Sequence, residues 1–151
     1  MNKNKTIQLI SVIILLIDVV LTLFFYSKLP NQIAIHWDSS GTPDKFASRF
    51  WGALSLIFII AGVILLQFFF SKFNEFLYKT KKTKQIYSLN VFVLLLIIIA
   101  LSVVQILSLF WNAHYSIKIS DIGTLTANFI IGFIFIALGI FLKHTKLNVK
   151  V

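Results

Sequence analysis

Cysteine is absent from this chain, and acid is scarce: the 151 residues hold no Cys, two Pro, six Gly and five Asp or Glu, against fourteen Lys or Arg. Lack of thiols excludes a disulfide framework, a thiolate metal site and a cysteine nucleophile. Catalytic signatures are missing as well. No HExxH is present, no glycine-rich loop opens a helix, and no GxSxG elbow presents a nucleophile, although Ser, His and Asp all occur. An enzyme is therefore not expected. Charged residues make up 13% and hydrophobic ones 58%, where soluble domains have about 25% and roughly 45–50%. That balance excludes an ordinary soluble fold.

What is present is hydrocarbon, gathered into four runs: 7–26, 51–70, 89–111 and 124–142. About 20 apolar residues cross a ~30 Å bilayer core as a helix, because lipid offers the backbone no outside hydrogen-bond partner. The expected fold is thus an all-α integral membrane protein. It is a single domain, 1–151, built as a four-transmembrane-helix bundle with an ordered extracellular loop between helices 1 and 2. The first run follows Lys3 and Lys5, but its apolar core is too long for a signal peptide and FFYSKL offers no small-residue cleavage site.

Sidedness follows from the cations, since Lys and Arg of short loops stay in the cytoplasm. Lys3 and Lys5, then Lys72, Lys79, Lys81, Lys82 and Lys84, then Lys143, Lys146 and Lys150 fall on one side. Only Lys28, Lys45, Arg49 and Lys118 fall on the other, accompanied by Asp38, Asp44 and Asp121. Loops 27–50 and 112–123 are accordingly expected outside, and loop 71–88 and both termini in the cytoplasm, of a bacterial plasma membrane. Trp37, Trp51, Trp111 and Tyr115 then share the outer boundary, where amphipathic rings settle.

The +9 net charge does not imply nucleic acid here. Juxtamembrane cations are expected to contact anionic lipid, at about 1 kcal/mol each. The middle loop, with Phe73, Phe76, Leu77 and Tyr78 before KTKKTK, has the composition of a short interfacial helix or of a docking site for a cytoplasmic partner.

Small and polar residues inside the runs fall into stripes: Ser11, Asp18 and Thr22; Ser55 and Gly62; Ser102 and Gln105; Asn128, Gly132 and Gly139. Such stripes mark helix contacts, because small residues let backbones approach and polar ones pair across the interface. Asp18 stands out. A carboxylate near mid-membrane costs at least ~2.5–3.5 kcal/mol, no Lys or Arg lies within any run, and Ser102 and Gln105 are at matching depth. Asp18 is expected as a neutral acid bonded to an amide, either a strut fixing helix register or a proton or ion relay.

The one polar segment is LPNQIAIHWDSSGTPDKFASRF, residues 29–50. Ile33, Ile35 and Trp37 alternate with Ala34, His36 and Asp38, the period-two pattern of an extended segment with an apolar face. SSGTP is a turn, with Gly41 free to adopt positive φ and Asp38 positioned to cap it. His36 is expected to pair with a carboxylate or carbonyl, and Asp44 with Arg49. His36, Asp38 and Asp44, joined by His114 and Asp121 of the second outer loop, are also the donor types that suit a divalent ion, although their spacing specifies none.

Leu29-Pro30, Ile33, His36, Gly41, Asp44 and Arg49 resemble the signature loop, L-P-x-x-I-P-x-H then G-x-x-D then a basic residue, of a bacterial family of small membrane domains of unknown function. That domain also forms the N-terminal part of Sdp-type immunity proteins, which protect cells against a secreted toxic peptide. The likeness spans about residues 25–55, with Ala34 where Pro is usual and Arg49 where Lys is common. The Gly-Leu-Arg-Thr-like turn and following Trp of a complete immunity protein are not evident.

Three functions stay open. The first is a recognition or protection module binding a peptide toxin or partner membrane protein through His36, Trp37, Asp38, Gly41, Asp44 and Arg49. The second is a transporter or channel subunit coupled through Asp18, and the third a metal-dependent outer-leaflet enzyme.

Overall fold

The computed structural model describes residues 3–38, 40–77, 81–113 and 132. Helix α1 (Lys3–Tyr26) leads into an antiparallel hairpin of β1 (Gln32–Trp37) and β2 (Pro43–Ser48); α2 (Arg49–Leu77) and α3 (Lys81–Asn112) follow. Three helices, Asn4–Tyr26, Arg49–Lys72 and Val91–Asn112, are long and apolar enough to cross a bilayer. The fourth expected run, 124–142, and the loop before it lie outside the described residues, apart from Gly132.

Helix ends follow the breakers in the chain. After Tyr26 the backbone closes two turns, Lys28 N to Phe25 O (2.8 Å) and Leu29 N to Tyr26 O (3.4 Å). Pro30 then supplies no N–H to continue a helix. Ser48, a residue type favoured at helix N-caps, directly precedes α2. Between Gly62 and Gly123 there is neither Gly nor Pro, so α2 runs on to Leu77 and α3 begins at Lys81. The expected cytoplasmic loop 71–88 is therefore largely helical backbone that extends the two membrane helices.

Buried positions recur in steps of four and three. On α2 they are Ala53, Ile57, Ile60, Ile64 and Gln67; on α3 they are Val91, Leu95, Ile98, Ser102, Gln105, Leu109 and Asn112. This alternation of four and three is the heptad spacing that keeps one seam of a helix turned toward its neighbours. On α1 the matching stripe is Ile7, Ser11, Asp18, Thr22 and Phe25. Three apolar clusters fill the axis: Ile7, Val91 and Leu95 at one end; Ile60, Ile64 and Ile98 in the middle; Phe25, Leu29, Ile33, Ala53 and Leu109 under the hairpin.

Polarity runs opposite to that of a soluble protein. Ser11, Asp18, Thr22, Gln67 and Gln105 are almost wholly buried, while Val20, Leu23, Phe24 and Leu65 are each more than 60% exposed. In water so large an apolar surface is an aggregation liability. In a bilayer it faces its natural solvent, and the buried polar groups hold the helices together.

Not every stripe residue acts as its spacing suggests. A methyl group at Gly62 would meet nothing within 4 Å, so Gly62 marks no close helix approach. Ser11 donates to Ile7 O of its own helix (3.1 Å) and bridges to no neighbouring helix among the described residues. Asn128 and Gly139 lie outside the described residues.

Candidate functional site

The hairpin sits where the C-terminal ends of α1 and α3 meet the N-terminal end of α2. Its register pairs Gln32 with Ser48, Ile33 with Ala47 and Ala34 with Phe46; irregularities then pair His36 with Lys45 and Trp37 with Pro43. Successive strand residues face opposite sides. Ile33 enters the core beside Phe25 and Leu109, and Ile35 reaches the Gly52 backbone. Trp37 meets Trp111 edge to face, with centroids 5.4 Å apart. His36, Asp44 and Phe46 are left on the outward side.

Two residues that position this cap carry no outstanding signal in the sequence. Gly52 lies under Ile33: a Cβ there would stand 2.5 Å from Ile33 Cδ1 and 3.3 Å from Ile35 Cγ2, so only glycine admits the strand. Asn112, buried at the end of α3, accepts from Ala34 N at 2.8 Å and donates to Ala34 O at 3.0 Å. Its amide thus imitates the next strand of a sheet. Neither position stands out within its run, because both roles depend on contacts made across the fold.

Asp38 builds the turn. Its Oδ1 accepts from Ser40 Oγ (2.6 Å), Ser40 N (2.9 Å) and Thr42 N (2.9 Å). Backbone bonds from Asp38 N to Thr42 O and from Gly41 N to Asp38 O close the loop. Gly41 has φ of 81°, the left-handed region that glycine enters without penalty. Hydrogen bonds from the Ser40 hydroxyl and then the Thr42 N–H hold the Asp38 carboxyl below the usual carboxylate range.

His36 Nδ1 and Asp44 Oδ1 lie 2.5 Å apart, with both side chains largely open to solvent. Arg49 does not pair with Asp44, contrary to the sequence expectation. Its Nε donates to Pro30 O (3.2 Å) and its Nη2 to Asn31 Oδ1 (2.7 Å), while its own N–H reaches Asn31 O (2.8 Å). The α2 start is adjacent to the α1 exit, so these neutral acceptors are nearer than the carboxylate that His36 engages.

Inside the bundle, Ser102 Oγ donates to Asp18 Oδ1 at 2.8 Å, and the other oxygen, Oδ2, has no partner among the described residues. The expected amide bond to Asp18 is not formed. Gln105 Nε2 instead donates to Thr22 Oγ1 (3.0 Å) and Ala53 O (2.8 Å), which ties all three helices at one level. Gln67 adds a further rung, donating to Val91 O at 3.0 Å.

As metal ligands the outer residues are not assembled. Asp38 turns Oδ1 into its own loop, His36 and Asp44 make only a pair, and the described residues contain no group of three or more His, Cys, Asp or Glu able to hold an ion. His114 and Asp121 lie outside the described residues.

A family described as a domain of unknown function (DUF1648) matches residues 13–61, which run from mid-α1 through the hairpin into α2. The match fits a small membrane-domain family of unknown function. No curated protein and no solved structure matches the chain.

Proposed function

We propose that the chain is a recognition and protection module of the bacterial plasma membrane, and that its concrete form is immunity against a secreted, membrane-active peptide. The supporting observation is the hairpin itself. Its inner face docks on the bundle through buried Ile33 and through Trp37 against Trp111, with Ile35 touching the Gly52 backbone while about half exposed, and Asn112 fixes its β1 edge. The outward face is left rigidly mounted, carrying the His36–Asp44 pair and the exposed Phe46. Preorganised polar groups beside an exposed aromatic are the composition of a binding surface, since little ordering entropy is lost on contact. On this reading the hairpin is extracellular, the run 124–142 forms a fourth spanning helix, and both termini are cytoplasmic.

Expression in a bacterium sensitive to membrane-active peptides tests this. Survival under challenge with a panel of such peptides should rise, and His36→Ala with Asp44→Ala should cancel the gain while the protein remains in the membrane. Asp18→Asn serves as the discriminating arm. It keeps protection if the hairpin is the working surface, whereas loss of protection with an intact hairpin would transfer the function to the helix interior. Absence of rescue against every peptide of the panel sinks the proposal.

A further inference from the structure

A two-stranded sheet has two outer edges, and they are treated differently here. In an antiparallel ladder, residues alternate between pairs that exchange backbone bonds and pairs whose N–H and C=O point outward. Asn31 and Arg49 are bonded, so the Gln32–Ser48 pair between them and Ile33–Ala47 is outward-pointing, and so is Ala34–Phe46. On the β1 side, Asn112 takes up both backbone groups of Ala34. On the β2 side, the N–H and C=O of Phe46 and the N–H of Ser48 meet no partner among the described residues, while Ser48 O is taken by the first turn of α2. Both residues are exposed.

We infer that the β2 edge is a strand-addition site for an extended, acidic and apolar polypeptide, with the backbone of Phe46 and Ser48 as its hydrogen-bonding rungs. The inference rests on the recognition reading above and names its chemistry. Main-chain pairing at a free edge supplies affinity, and flanking side chains supply choice.

Charge selects the occupant. Among the described residues, both acids of this end are already engaged, Asp38 in its turn and Asp44 with His36. Lys28 and Lys45 are exposed, and neither they nor Arg49 forms an ion pair among the described residues. Exposed Phe46, Phe50 and Trp51 border the same edge. A partner strand therefore meets uncompensated positive charge and aromatic surface together, which favours acidic and apolar side chains. A second copy of this chain is disfavoured on the same ground, because antiparallel pairing of two β2 edges sets Lys45 and Arg49 against their like-charged counterparts. Natural edges are usually blunted by proline, charge or cover. On β2, Pro43 and the irregular pairing at Lys45 blunt the end near the turn, which leaves Phe46 and Ser48 as the open rungs, while Asn112 covers the other edge.

The test uses the full chain in nanodiscs of zwitterionic lipid and a terminally blocked peptide of alternating valine and glutamate. In the free protein the amides of Phe46 and Ser48 should exchange fast with solvent, and binding of the glutamate peptide should slow them. Phe46→Pro deletes an outward N–H without touching the β1 ladder, a change that an edge strand tolerates. It should weaken binding by roughly tenfold, the loss of one backbone bond, whereas Phe46→Val, which keeps the N–H, should weaken it less. A peptide with lysine in place of glutamate should not bind.

The inference is overturned if the two amides are already protected in the free protein, which would mean that the chain itself or a second copy covers the edge. It is equally overturned if the glutamate peptide does not bind, if both peptides bind alike, or if Phe46→Pro binds as the parent does. Should Phe46→Pro not fold, the exchange measurement on the parent decides alone. Cell protection without strand addition would remove the edge and leave the functional reading; strand addition without protection would do the reverse.

Discussion

One oxygen of Asp38 closes the hairpin tip by accepting three hydrogen bonds from Ser40 and Thr42, and that makes the turn sensitive to acid in a defined direction. Folding favours the ionised carboxylate, so the unfolded turn binds more protons and stability rises with pH. The contribution is fully present above the ordinary Asp value of about 3.9. It is lost as pH falls through the lower value that the Ser40 and Thr42 donors impose. Amide resonances of Ser40 and Thr42 should hold their hydrogen-bonded shifts on acidification from neutrality to about pH 4 and move only below it, and Asp38→Asn should abolish that titration. Movement near neutral pH would show that another group controls the turn.

The hairpin as an element depends on Asn112 as much as on its own sequence. Replacing Asn112 by Ala strands the buried N–H and C=O of Ala34, and each unsatisfied group costs about 1–3 kcal/mol. The expected result is a hairpin that lifts from an intact bundle. Exchange at Ala34 should accelerate, and the emission of Trp37 and Trp111 should shift toward that of water-exposed indole, while helical circular dichroism stays constant. Asn112→Asp, which keeps the acceptor and loses the donor, should fall between. Local pattern does announce part of this element: Ile33 is buried as the alternation requires, and Gly41 and Asp38 carry the chemistry of their turn within five residues, but Ile35 is about half exposed and Ala34 is buried against Asn112. The rest is set by distant partners. Arg49 selects Asn31 and Pro30 over Asp44 because the α1 exit lies beside it. Between two helix glycines of similar appearance, only Gly52 meets a neighbour. Gln105 bonds to Thr22 and Ala53, not Asp18, since depth along a helix is readable from residue number but rotation about its axis is not.

At the scale of the whole molecule, the nearly equal offsets of 84 and 83 residues between bonded partners, Asp18 with Ser102 and Thr22 with Gln105, show that α1 and α3 run parallel, and the pairs Gln105–Ala53 and Gln67–Val91 show α2 antiparallel to α3. The N-termini of α1 and α3 thus lie at one end, with Lys3, Lys5, Lys81, Lys82 and Lys84, and the hairpin and Asn112 at the other. Short cationic segments are retained in the cytoplasm, so the hairpin end is expected to face outward. A third helix that ends outside leaves the remaining chain there unless the apolar run 124–142 crosses back, which Lys143, Lys146 and Lys150 on its far flank favour. Two reporters resolve the path together. A cysteine at Ser40 should react with an impermeant maleimide added to intact cells, and one at Lys82 should react only after the cells are opened. A fluorescent protein fused after Val151, of a type that matures only in the cytoplasm, should be bright if the fourth run spans. A dark fusion with Ser40 still reachable from the medium would mean three spans and an external tail. Ready labelling at Lys82 with protection at Ser40 would invert the molecule and remove the hairpin from any extracellular partner.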